Sequence, residues 1–122
     1  MGGYPGVHID SKFKAIMNLF VWEDYTVADN IEMRKHTMYD SHDIPSAEEL
    51  NQLAAWVNKK AKSGPVLVHC QAGLNRSGLV TALALVQQGM KAIDAIRLIR
   101  EKRSPMALCN PYFTKWLISL DK

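Results

Sequence analysis

Few folds can hold the segment Val66-Leu67-Val68-His69-Cys70-Gln71-Ala72-Gly73-Leu74-Asn75-Arg76-Ser77-Gly78. Three β-formers lead into a histidine and a cysteine, five residues follow, and an arginine then opens a long apolar run. The pattern predicts strand, tight loop, helix. Gly73 permits a turn whose successive backbone N–H groups converge on one point, a nest for an anion. A helix beginning near Arg76 brings its unpaired N–H groups and the positive end of its dipole to the same place. Arg76 can hold two oxygens of a phosphate with its planar fork. A thiol at that positive focus ionises more readily than a free cysteine of pKa ~8.5. One short segment thus supplies a thiolate nucleophile beside a cradle for a tetrahedral dianion.

His69-Cys70, five residues, then Arg76-Ser77-Gly78 resembles the signature loop of the cysteine-based protein tyrosine phosphatase superfamily. The small size and the late position of the motif are most similar to the dual-specificity phosphatases. The signature runs from His69 to Gly78, and a looser resemblance extends from about Gly2 to Leu120. It implies an α/β fold, a mostly parallel central sheet flanked by helices. Family members have a short strand before a Gly-rich opening like Gly2 to Gly6, and that first strand is expected to be missing here.

The resemblance also implies an activity, the removal of phosphate from phosphotyrosine and phosphoserine/threonine of proteins through a phosphocysteine intermediate. Cys70 is then the nucleophile. The loop of Gln71, Ala72, Gly73, Leu74 and Asn75 holds the phosphoryl oxygens together with Arg76. Ser77 assists departure of the thiolate, although a hydroxyl at a helix start also bonds local backbone. His69 orients the loop and tunes the cysteine from behind. A loop carboxylic acid protonates the leaving oxygen. Asp40 and Asp43 are the candidates, and the pattern of the dual-specificity phosphatases that the chain resembles, with the acid directly after a strand and about thirty residues before the cysteine, favours Asp40. Neither a metal nor another cofactor is called for.

Competing readings fail on particular residues. Gly73 and Gly78 have the spacing of a phosphate-binding Walker loop, but Leu79 stands where its lysine belongs. Rhodanese-type sulfurtransferases have a shorter loop without the Arg-Ser-Gly ending. A merely structural cysteine before a core helix would not need the whole motif. Asn75 is similar to loops of phosphatases acting on RNA 5′ ends, so an RNA 5′-triphosphatase or diphosphatase of the same fold is the enzyme alternative, but Asn is also simply a turn residue. No lysine lies inside the loop, which counts against inositol lipids. A phosphate-reading pseudophosphatase would normally lack the nucleophile or the arginine, and both are present. Trp22, Tyr25 and His42 are candidates for the mouth of the site.

With 122 residues and 48% hydrophobic content, residues 1–122 are expected to form one domain with a single core. A net charge of +3 suits anionic ligands without resembling a nucleic-acid-binding tail, so nucleic acid enters only under the RNA alternative. Cys70 and Cys109, the two cysteines, have neither metal spacing nor a disulfide framework, which points to a reducing cytoplasm. The four histidines show no zinc-like pairing. No apolar run approaches the ~18 residues needed to span a bilayer. A monomer acting on a phosphoprotein or another phosphomonoester is expected.

Along the chain, Ala15 to Val21 is a continuous apolar run fit for a central strand, and Ile31 to Tyr39 predicts a second. Ser46 and Glu49 make a capping box, opening a helix whose inward face carries Leu50, Leu53, Ala54, Val57 and Ala61. Ser63-Gly64-Pro65 ends it, and Val66 to His69 is the next strand. Gly78 to Gln88 is apolar all round, the mark of a central core helix, with Gly89 at its end. Lys91 to Arg103 predicts a helix with Ile93, Ile96 and Ile99 inward and a basic cluster of Arg97, Arg100, Lys102 and Arg103. Asn110-Pro111 supplies an N-cap and a first-turn proline for a last helix through Leu120.

Overall fold

The computed structural model describes residues 15–19, 31–36, 46–69, 75–102 and 107–121. These contain, in chain order, β1 (Ala15–Asn18), β2 (Glu32–Lys35), α1 (Ala47–Ala61), β3 (Val66–His69), α2 (Arg76–Gln87), α3 (Ala92–Lys102) and α4 (Pro111–Ser119). The three described strands form a parallel sheet in the order β2-β1-β3. All four residues of β1 are buried, as a central parallel strand covered on both faces requires. β2 stands beside it at one edge of the three described strands, with Glu32 and Lys35 exposed.

Alternation along β1 and β3 divides the core in two. Met17 and Val68 face a large cluster with Leu50, Leu53, Leu79, Leu83, Ile96, Phe113 and Leu117, which come from all four helices. Ile16, Leu67 and Ile31 form a second cluster, with Met33 against it. α2 is the hub, in contact with β3, α1, α3 and α4, and Ser77 to Val80 and Ala82 to Ala84 are buried along it. This bears out the helix expected to be apolar all round.

The helix starts follow their sequence signals. Ser46 Oγ accepts the N–H of Glu49 at 3.2 Å, and Asn110 Oδ1 accepts that of Tyr112 at 3.0 Å, just ahead of Pro111 in the first turn. α1 ends before Gly64, whose φ of 153° few other residues accept. Between α1 and α2 a polar seam covers the packed faces. Asn58 Nδ2 donates to Ala84 O at 3.0 Å, and Gln87 Nε2 donates to Asn51 O at 3.0 Å.

Two expectations need correction. Ile93 is 36% exposed, because the inward stripe of α3 is Ala92, Ala95, Ile96 and Ile99, the i, i+3, i+4, i+7 set, and Ile93 falls beside it. Ala61 is exposed, since the buried stripe of α1 ends before its last turn. Arg100 and Lys102 of the expected basic cluster lie in the last turn of α3, where Arg100 is half-buried and donates to the backbone carbonyls of Ala107 and Leu108. β1 and β2 fall inside the two expected strands, with Leu19 and His36 just past their ends. Residues 20, 21 and 37–39 of those expected strands lie outside the described residues, as do residues 1–14, where the Gly-rich opening was read.

Candidate active site

The carboxyl ends of the parallel strands meet along one edge, where open α/β sheets place their ligands. Asn18 at the end of β1 is in register with Lys35 on one side and His69 on the other. Its side chain is fully buried and its carbonyl accepts the N–H of His36 at 3.0 Å. His69 ends β3, so the chain passes from the sheet edge directly into the Cys70 segment. Six residues beyond Cys70, Arg76 opens α2. The strand before the signature and the helix at its end therefore fall where the sequence predicted.

Of the residues read as site members, Asn75, Arg76 and Ser77 are described in full and His69 by its backbone. Cys70, Gln71, Ala72, Gly73 and Leu74 lie outside the described residues. So do Asp40 and Asp43, and also Trp22, Tyr25 and His42. Arg76 is half-buried in the first turn of α2, and Ser77 beside it is completely buried. A buried hydroxyl and a partly buried guanidinium at one helix start give a polar corner against an apolar helix.

The start of α2 is built differently from the others. α1 and α4 are capped by their own Ser46 and Asn110 side chains, and Asp121 caps α3 from outside. Asn75, the N-cap of α2, makes no side-chain capping bond, and the first turn carries no acidic residue. No carboxylate of that turn opposes an anion at the positive end of the dipole. The Asn75 backbone is right-handed (φ −100°, ψ −58°) and its carbonyl accepts the N–H of Leu79 at 2.9 Å.

The side chain of Asn75 reaches instead to the connection between α3 and α4. Its Oδ1 accepts the N–H of Asn110 at 3.0 Å, and its Nδ2 donates to Cys109 Sγ at 3.5 Å. Cys109 is a free, exposed thiol. Leu108, next to it, has a left-handed backbone (φ 58°) and a fully buried side chain. Its Cγ lies 3.0 Å from where a Cβ on Gly78 would stand, so the glycine in the first turn of α2 makes room for it. Sequence reading took Asn110 only as a helix cap and assigned nothing to Leu108. The Asn-Arg pair at 75 and 76 marks a helix start, but no local signal gives its partner 35 residues away.

Among the described residues no group of three His, Cys, Asp or Glu side chains is placed to hold a metal ion. None of the described helices is long and apolar enough to cross a membrane.

Residues 5–122 match the family described as dual specificity phosphatase, catalytic domain. Among curated proteins, human protein tyrosine phosphatase type IVA 3 is 52% identical over 44 residues, 36% of this chain and 25% of that protein. A probable protein tyrosine phosphatase type IVA A of Dictyostelium discoideum is 35% identical over 72 residues, 51% of this chain and 43% of that protein. Each match spans less than half of the relative's own length. Human DUSP28 superposes with a TM-score of 0.79 at 20% identity, covering 90% of this chain and 78% of that one, a likeness of fold. With a family match over nearly all of its length and a parallel sheet whose third strand leads into the Cys70 segment, the chain belongs to the dual-specificity phosphatase catalytic-domain family.

Proposed function

We propose that this domain hydrolyses phosphomonoesters of proteins, on phosphotyrosine and on phosphoserine or phosphothreonine, through a phosphocysteine. The observation that carries the proposal is the path of the signature. β3 ends at His69 on the carboxyl edge of the sheet and α2 begins at Arg76, so the five residues between Cys70 and Arg76 bridge a strand end and a helix start.

In the first step the Cys70 thiolate attacks phosphorus in line and an S–P bond forms as the P–O bond to the substrate breaks. Loop N–H groups and the Arg76 fork hold the non-bridging oxygens, whose charge reorganises in the transition state. Asp40 gives its proton to the departing oxygen. In the second step Asp40 takes a proton from water, the water oxygen bonds to phosphorus, and the S–P bond breaks. Inorganic phosphate leaves and the thiolate is restored, with Ser77 stabilising the departing sulfur. The burial of Ser77 directly behind Arg76 suits that role. In this proposal residues 1–122 act as a monomeric catalytic unit, and the free Cys109 thiol fits a reducing compartment such as the cytoplasm.

Asn75 was the residue favouring RNA 5′ ends. Its side chain is engaged with Asn110 and Cys109, so it has a structural reason to be Asn and no longer distinguishes the two substrates.

The test is phosphate release from a phosphotyrosyl peptide, a phosphoseryl peptide and a 5′-triphosphorylated RNA side by side. Wild-type chain should act on the peptides, and Cys70→Ser should abolish turnover while retaining vanadate binding. Hydrolysis by Cys70→Ser near the wild-type rate would overturn the mechanism, and a preference for the RNA would overturn the substrate class.

A further inference from the structure

Residues 107–110, the described part of the connection between α3 and α4, are tied down by several hydrogen bonds. Arg100, in the last turn of α3, donates from Nε to Ala107 O and from Nη2 to Leu108 O, each at 3.0 Å. Thr114 Oγ1 donates to the same Leu108 carbonyl at 2.8 Å and to Asn110 O at 3.1 Å. Between these bonds Leu108 adopts φ 58°, a conformation that costs a non-glycine residue ~1–2 kcal/mol and persists only where its surroundings impose it.

That backbone puts the Leu108 side chain into the space beside Gly78. Two residues on, the N–H of Asn110 meets Asn75 Oδ1. Asn75 and Gly78 flank Arg76 in the first turn of α2, so the connection grips this turn on both sides of the arginine. We propose that Arg100 is a positioning residue for phosphoryl binding: it fixes the connection that holds Asn75 and Gly78, and so sets where the Arg76 guanidinium stands.

The proposal rests on the phosphomonoester hydrolase reading. Its physical basis is that Arg100 meets two successive carbonyls with one rigid fork, which a lysine ammonium cannot reproduce. Losing one of those bonds lets the left-handed turn at Leu108 relax toward ordinary backbone, and the contacts at Gly78 and Asn75 shift with it. Displacements of ~1 Å in a group that orients the reacting centre can cost ~10²-fold in rate.

The experiment is a double-mutant cycle in the full chain with Arg100→Lys, Asn75→Ala and the double variant. kcat and KM for p-nitrophenyl phosphate, the inhibition constant of vanadate and the thermal midpoint are read for each. Arg100→Lys should lower kcat/KM on the order of tenfold and weaken vanadate by a similar factor, and the double variant should be little worse than the poorer single, because both act through the same connection. Additive losses would overturn the proposal. So would a lowered midpoint with unchanged kcat/KM and vanadate binding, which would make Arg100 a stabilising residue only. If Arg100→Lys does not fold, Thr114→Val removes a weaker support of the same carbonyl. It should move the same two readouts in the same direction, and unchanged values would overturn the proposal. A wild type that neither turns over nor binds vanadate would sink the hydrolase reading itself. An active wild type with an unaffected Arg100→Lys would sink the positioning role alone.

Discussion

The Asp121 carboxylate accepts the N–H of Ala92 at 2.6 Å, and its second oxygen accepts that of Ile93 at 3.1 Å. The turn after α4 thereby caps the start of α3 from 29 residues away. Both donors are among the groups a helix leaves unpaired at its N-terminus, and the negative charge suits the dipole there. Asp121→Ala should lower stability by about 1–2 kcal/mol, the range for losing a helix cap. Chemical denaturation measures it, and amide exchange at Ala92 and Ile93 should speed up before the rest of α3. Unchanged exchange at those two amides would show that the cap is not formed in solution.

The tight fit at Gly78 makes a second prediction. A methyl there would stand 3.0 Å from Leu108 Cγ and 3.3 Å from Cδ2. Replacing glycine by alanine inside a helix ordinarily gains ~1 kcal/mol. Here Leu108 is fully buried and its carbonyl is held by Arg100 and Thr114, so the side chain has little room to yield. Overpacking of this kind costs ~1–3 kcal/mol, which outweighs the gain. Gly78→Ala should therefore show a lower urea midpoint than the wild type. A raised midpoint would mean that Leu108 repacks freely.

In β2, Glu32 Oε2 lies 2.7 Å from Lys60 Nζ, which joins that strand to α1. Lys60 also stands 5.9 Å from the centroid of the Trp56 ring. The hydrogen bond from Lys60 is the main cause that holds the Glu32 carboxyl below its ordinary value, with the Lys60 charge adding to it and partial desolvation opposing it. A carboxyl whose pKa is lower in the folded state contributes stability above its unfolded pKa, ~4.3 for glutamate. That contribution fades as pH falls through the folded value. The pair is open to solvent, so the effect is small and weakened by salt. Glu32→Gln should remove a shallow loss of stability on the acid side and leave the rest of the profile in place. An unaltered acid limb in low salt would show that the pair contributes nothing.

Local signals made most of the fold legible. The apolar runs at residues 15–21 and 66–69 gave buried parallel strands, and Ser46 and Asn110-Pro111 marked helix starts that the structure reproduces. Ile93 was misread because three isoleucines at spacing three suggest a stripe, whereas small Ala92 and Ala95 share the buried face with Ile96 and Ile99. The site divides in the same way. The strand end at His69 and the helix start at Arg76 were readable because β-formers run up to the first and an apolar run follows the second. The brace behind them was not. It depends on Asn75 meeting Asn110 and on a leucine held at positive φ, contacts between segments far apart in sequence that leave no periodic trace. Arg100 belongs with them, since beside Arg97 and Lys102 it reads as one more surface charge.

The general acid is where the proposed mechanism depends most on sequence, because Asp40 and Asp43 stand three residues apart in a segment read as one loop. A donor acting in the transition state is worth ~10²–10⁴ in rate. The loss should be largest for a poor leaving group such as a serine alkoxide and smallest for an activated aryl oxide, which departs with little help. Asp40→Asn should therefore cut hydrolysis of a phosphoseryl peptide far more than that of p-nitrophenyl phosphate. It should also flatten the alkaline fall of kcat/KM, which in the wild type reports loss of the acid's proton. Asp43→Asn should leave both readouts close to the wild type. The opposite pattern transfers the role to Asp43. If neither substitution changes the leaving-group dependence, the proton comes from outside this loop, and the spacing from Cys70 has misled the assignment.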